Sequence, residues 1–160
     1  MFRKCFAAVL AVSMLAGAAV FPVGAEEEKL SGFLVSSDQL IESSSYSAKN
    51  LTDGDETTAA LFKNPKNAEL LITLPEQSDV SRVRISKKSF PAWQDIWEIQ
   101  IQAGDQTALL KFYGSGDAAE VKTDFSGIRE LKLSVSGLSG KEGAPAAMTE
   151  ITLFGAGKAE

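Results

Sequence analysis

In the stretch from Ile96 to Gln102 apolar and polar residues alternate from Trp97 onward, with Trp97, Ile99 and Ile101 on one face and Glu98, Gln100 and Gln102 on the other. A period of two is that of a half-buried strand, and it assigns Trp97 to the core beside the two isoleucines. Shorter runs of the same kind recur along the chain. They cover 30–37, 68–73 before Pro75, and Val80, Val83 and Ile85 with Ser81, Arg82 and Arg84 as polar partners. Ala103-Gly104-Asp105-Gln106 reads as a hairpin turn into a strand over 109–113. Further strands fall at 121–125, at Leu131, Leu133 and Val135, and at Ile151, Leu153 and Phe154, the last two separated by a Gly/Ser-rich loop over 137–147. Only 48–51 reads as a helical turn, with Ser47 able to cap it. Short strands at this rhythm predict an all-β antiparallel jelly-roll sandwich of about eight strands.

The front of the chain does not belong to this pattern. Arg3 and Lys4 precede an apolar run over 6–20, and Val23-Gly24-Ala25 places small residues before Glu26-Glu27-Glu28. That order predicts a secretory signal peptide over 1–25 and a secreted, extracellular product. A short acidic segment over 26–31, a single domain over 32–155 and a tail over 156–160 follow. No transmembrane segment is expected, because no later stretch reaches about 18 apolar residues. Cys5 is the sole cysteine and lies in the signal, so no disulfide supports the domain. Cleavage would remove two of the 16 basic residues and none of the 21 acidic ones, moving the formal charge from −5 to −7. Nucleic acid is a poor partner for such a chain. The basic cluster over 82–88 reads as the solvated face of a strand.

Histidine is absent. With no cysteine beyond Cys5, this removes Ser-His-Asp triads, Cys-His pairs and the usual zinc sites. Paired carboxylates could still serve glycoside hydrolysis, but no Asp or Glu pair stands out, and the expectation is a non-catalytic protein. The densest chemistry lies at 47–58, where Asp53-Gly54-Asp55 sits among hydroxyls. Oxygen donors around a glycine turn suit a hard cation such as calcium, and Glu150 would supply a second carboxylate from the far end of the chain. A plain Asp-Gly turn is the competing reading. An EF-hand is excluded by spacing: with Asp53 as the first loop position, Thr58 stands where its glycine belongs and Asn64 where its final acid belongs.

Taken together, the block over 46–58, Val80-Ser81-Arg82-Val83-Arg84-Ile85, Trp97-Glu98-Ile99-Gln100-Ile101 and the closing Thr149-Glu150-Ile151-Thr152-Leu153-Phe154-Gly155 resemble a discoidin domain. This is the galactose-binding-like jelly roll of coagulation factor V/VIII C-type domains, similar to family 32 carbohydrate-binding modules. The resemblance implies a structural calcium ion. Its ligands would be the carbonyl of Asn50, the Asp53 carboxylate, the Asp55 backbone, Thr58 through hydroxyl and carbonyl, the Thr149 carbonyl and the Glu150 carboxylate. Ala60 stands where the family usually carries tryptophan.

In such modules ligands are held by loops at one end of the sandwich, often by an aromatic stacked on a sugar. Trp93, in a Pro-containing loop, is the stacking candidate; folding back onto the core is its alternative. Phe90, Lys88, Phe62, Lys63 and Asn64 are the further loop candidates. The function implied is a secreted, non-catalytic carbohydrate-binding module with a glycan partner. The alternative is an extracellular adhesion or assembly module that grips a protein or a membrane surface through the same loops. Asn50-Leu51-Thr52 also fits the N-glycosylation sequon.

Overall fold

A computed structural model describes residues 27–113 and 116–156. The expected signal peptide and residues 157–160 of the expected tail lie outside the described residues. Eight strands follow in order: β1 (Glu27–Lys29), β2 (Leu34–Ser36), β3 (Ala60–Phe62), β4 (Glu69–Lys88), β5 (Asp95–Ala103), β6 (Gln106–Lys111), β7 (Ala118–Ser139) and β8 (Ala146–Ala156). All their pairings are antiparallel. One turn of 3-10 helix, Ala48–Leu51, is capped by Ser47, whose hydroxyl accepts the Lys49 N–H at 3.2 Å.

Two strands belong to both layers of the sandwich. The first part of β4 pairs with the last part of β7, as in Leu70 with Leu133, and the second part of β4 pairs with the first part of β7, as in Ile85 with Ala119. Between them the ladder is irregular from Thr73 to Arg82. Pro75 sits in that interruption, where its missing N–H costs no ladder bond. The first layer continues through β5 to β6 on one side and β2 on the other; the second continues through β8 to β1 and β3. Leu70, Ile72, Val83, Ile85, Ile99, Ile101, Leu131, Leu133, Ile151 and Leu153 fill the space between. Alternation in the sequence thus places the core correctly along most strands, and the expected strands at 121–125 and 131–135 are halves of the single long β7.

Four local expectations give way. Residues 27–29 of the acidic lead-in pair with β8, so they belong to the sandwich rather than to a segment ahead of it. The expected strand over 30–37 is reduced to β2. Trp97 is 42% exposed, not a core residue. Register shifts in the β5–β7 ladder between Ile96, Glu98 and Ile99 insert an extra residue there and turn the indole outward. The basic cluster is not uniformly solvated either. A shift between Ser86 and Lys87 in the β4–β8 ladder turns Lys87 inward, where it is 5% exposed.

Lys87 is satisfied in that position. Its ammonium donates at 2.7 Å to Asp95 Oδ1 and at 2.7 Å to the Ile96 carbonyl, and it lies 4.5 Å from the Phe112 ring centroid. Asp95 Oδ1 also accepts the Ser89 hydroxyl at 2.7 Å, so the group closes the base of the loop between β4 and β5. Asp95→Ala should destabilise the fold by roughly 2 kcal/mol, less than for a fully buried pair because the Ile96 carbonyl still holds the ammonium. Urea denaturation measures it; an unchanged midpoint would mean that Lys87 finds solvent without its carboxylate.

Candidate functional site

Strand β8 is bordered along one edge by β3 at residues 146–148 and by β1 at residues 154–156. The acidic corner docks into the gap between them. Gly54, at φ +76°, turns the chain so that its N–H points at the Glu150 carboxylate, 3.2 Å from Oε1 and 3.3 Å from Oε2. Further along the gap the Leu30 N–H donates to the Leu153 carbonyl at 2.8 Å. Asp53 and Glu150 line one cavity of about 420 Å³, together with Lys29, Phe33 and Thr52.

The corner is internally bonded. Asp53 Oδ1 accepts the Asp55 N–H at 2.9 Å. The Thr58 hydroxyl lies 2.6 Å from Asp53 Oδ2 and 2.9 Å from the Asp55 carbonyl, and it has one proton to give. The Asp55 carboxylate is turned aside to the Thr57 hydroxyl and N–H, which hold it below the usual carboxylate range. The Asn50 side chain donates to the carbonyls of Ala59, at 2.7 Å, and Ser45, at 3.3 Å. Thr149 is buried in β8 beside Glu150.

Glu150 is 6% exposed. Burial raises its carboxyl from 4.5 to about 6, and the neighbouring Asp53 adds to the rise, while the Gly54 N–H and Lys29 oppose it. Among the described residues no group of three or more His, Cys, Asp or Glu is placed to hold a metal. Asp53 and Glu150 meet at one cavity, which Lys29 also lines; carboxylate, hydroxyl and carbonyl oxygens are the donor types that a hard cation takes. A divalent ion between Asp53 and Glu150 would reverse the cost of placing two acids together.

The loops over 63–68, 89–94 and 140–145 gather at one end of the sandwich, because Phe62 pairs with Ala146, Lys88 with Ala147 and Asp95 with Ser139. Gln94 stitches two of them, its N–H donating to the Pro145 carbonyl and its side-chain amide to the Ala144 carbonyl, both at 2.8 Å. A cavity of about 540 Å³ opens there, walled by Asn64, Asn67, Gln94, Ser136 and Glu142 over Val135 and Leu138. Beside it Trp93 is half-buried against Ala59, Leu61 and Ala147. Its ring centroid is 4.4 Å from that of Phe90 and 6.5 Å from that of Tyr46, and the Lys88 ammonium is 5.7 Å from the Phe90 ring.

The expected ligand residues therefore separate. Trp93, Phe90 and Lys88 form one surface cluster. Asn64 lines the cavity and Lys63 is exposed next to it. Phe62 is corrected: its side chain is fully buried in the core, because β3 presents it inward against β8. Asn67, Gln94, Ser136 and Glu142 were not anticipated. Nothing local in their sequence marks them, since the cavity exists only where three loops distant in the chain meet.

Comparisons with solved structures fit this arrangement. No protein-family model matches the sequence, and no match to a curated protein was found. The fold is similar to the family 32 carbohydrate-binding module of C. perfringens NanJ in complex with galactose, at TM-score 0.64 and 18% identity over 81% of this chain and 99% of that one. It is also similar to an F5/8 type C domain from Bacteroides fragilis, at TM-score 0.64 and 13% identity over 86% and 100%. A fucolectin from striped bass (Morone saxatilis) serum matches at TM-score 0.63 and 19% identity over 84% of this chain and 48% of that one.

With chelator present, Glu150 should contribute stability fully at pH below 4.5 and lose it, by about 2 kcal/mol, as pH rises through about 6. The sign follows from the raised carboxyl: the folded chain binds this proton more tightly than the unfolded one. Unfolding measured against pH for the native chain and Glu150→Gln should differ by that step; parallel curves would show an unperturbed carboxyl. Judged by these neighbours, the chain has the galactose-binding-like jelly-roll fold common to family 32 carbohydrate-binding modules, F5/8 type C (discoidin) domains and fucolectin.

Proposed function

We propose that this chain is a secreted, non-catalytic carbohydrate-binding module that holds glycan at the loop end of a calcium-stabilised sandwich. The observation that carries the reading is the cavity of about 540 Å³ next to an aromatic cluster. Amide, hydroxyl and carboxylate groups of Asn64, Asn67, Gln94, Ser136 and Glu142 can exchange hydrogen bonds with sugar hydroxyls, and Val135 and Leu138 suit the apolar face of a ring. Trp93 and Phe90, on the loop that also carries Gln94, would offer stacking surface. The solved neighbours add support, since they include complexes with galactose, GalNAc-beta-1,3-galactose and Lewis b.

Calcium, in this reading, is bound by Asp53, Glu150 and Thr58, with carbonyls from Asn50, Asp55 and Thr149. When bound it would tie the corner to β8, and its binding energy would be partly folding energy. Chelation should lower the melting temperature, and Asp53→Ala should abolish that response. An identical melt with and without chelator would reduce the corner to a plain turn.

A glycan array probed with the intact protein tests the main reading, with Trp93→Ala as its control. Binding to defined glycans, weakened roughly tenfold in the variant, is the expected result. An array without hits would favour the second reading, a module gripping a protein or a membrane surface. The feature behind that reading is Phe90, 37% exposed between Lys88 and Trp93.

A further inference from the structure

The outer face of the first layer carries an aromatic surface that the loop-end site does not include. Trp97 is 42% exposed although its neighbours Ile96 and Ile99 are buried. Its indole is held in place. A Cβ added at Gly137 would lie 2.7 Å from Trp97 Cε2 and 2.8 Å from Cδ2, with Glu98 Cβ also at 2.8 Å. Cε2 and Cδ2 are the two carbons shared by the fused rings. A point that far from both, with no other ring atom nearer, can lie only over the face of the indole. One face of Trp97 therefore rests on the Gly137 backbone, while the residue as a whole stays 42% exposed.

Polar side chains stand on the residues next to Trp97 and Gly137. Glu98 Oε1 accepts the Ser136 hydroxyl at 3.0 Å, and Glu98 Oε2 lies 3.7 Å from the Lys111 ammonium. Ser136 also lines the loop-end cavity, as do Val135 and Leu138 on either side of the Ser136-Gly137 pair. The strand that lines the cavity at Val135, Ser136 and Leu138 is thus the one on which the indole lies, at Gly137.

We infer that Trp97 is a second stacking platform, continuous through Ser136 with the loop-end cavity, and that the ligand is an oligosaccharide or polysaccharide rather than a single sugar. The inference rests on the proposed glycan-binding function and extends it. One pyranose occupies the cavity, and a following pyranose lays its apolar face on the free side of the indole while Glu98 and Lys111 meet its hydroxyls. A flat ring fixed on a glycine binds without losing side-chain freedom on ligand arrival.

Affinity electrophoresis in gels containing soluble galactan, mannan, xylan or β-glucan tests the inference, with calorimetry on the constituent monosaccharide of whichever polymer retards the protein. Trp97→Ala should weaken polymer binding about tenfold and leave the monosaccharide affinity unchanged. Trp97→Tyr, which keeps a planar ring, should restore most of the retardation. Gly137→Ala, which pushes the ring off its seat, should imitate Trp97→Ala. Thermal melts confirm that each variant is folded. Unaltered retardation of Trp97→Ala would overturn the platform and leave the loop-end site standing, as would equal loss for polymer and monosaccharide. If the native protein is retarded by none of the polymers and binds nothing on the array, the glycan reading itself falls, and the platform with it.

Discussion

The edge of β8 is incompletely covered by strands, and the molecule is arranged around how that gap is closed. β3 occupies the edge at one end and β1 at the other, and neither reaches the residues between. Into that space the fold places the Asp53-Gly54 turn and takes up the buried Glu150 carboxylate with a backbone N–H from a residue 96 positions away. An uncovered strand edge exposes unpaired backbone groups, and an unpartnered buried carboxylate is costly. One contact answers part of each difficulty. It also brings two acids to one cavity, where burial first, and the neighbouring Asp53 after it, raise the Glu150 carboxyl.

The opposite requirement, exposure of large rings in fixed orientation, is met by irregularity. Register shifts near Ile96 and Glu98 release Trp97 from the core pattern, and the shift at Ser86 draws Lys87 inward to Asp95 at the foot of the Phe90–Trp93 loop. Each bulge moves a side chain to the face that simple alternation denies it. Gly137 and Gln94 complete the effect, one by letting an indole lie on backbone and the other by lacing two loops together. Trp93 packs between Phe90, Tyr46 and the small residues Ala59 and Ala147 and is half-buried there.

Much was legible before any coordinates. Alternation located most strands and the buried positions on them, because side chains on a strand point to opposite faces by geometry alone. The Ser47 cap and the Asp-Gly turn were likewise local matters of backbone chemistry. The misreadings have one cause in common. Trp97, Lys87, Phe62 and residues 27–29 were each assigned from their near neighbours in sequence, whereas their surroundings are set by pairing with remote strands. A bulge depends on what lies opposite, and a loop residue's exposure depends on which strand its neighbour joins.

By itself, then, the sequence determined the all-β character, the lack of histidine and thiol chemistry in the domain, and a corner dense in carboxylate and hydroxyl oxygens, since these follow from residue type and spacing. The sequence already points Asp53 and Glu150 to one site, and the structure gives them a shared cavity; tertiary structure alone decided that three loops enclose another beside Trp93 and that Trp97 is exposed. The physical reason is that such sites are made by long-range strand register, and register is a property of paired strands that no single stretch of chain contains.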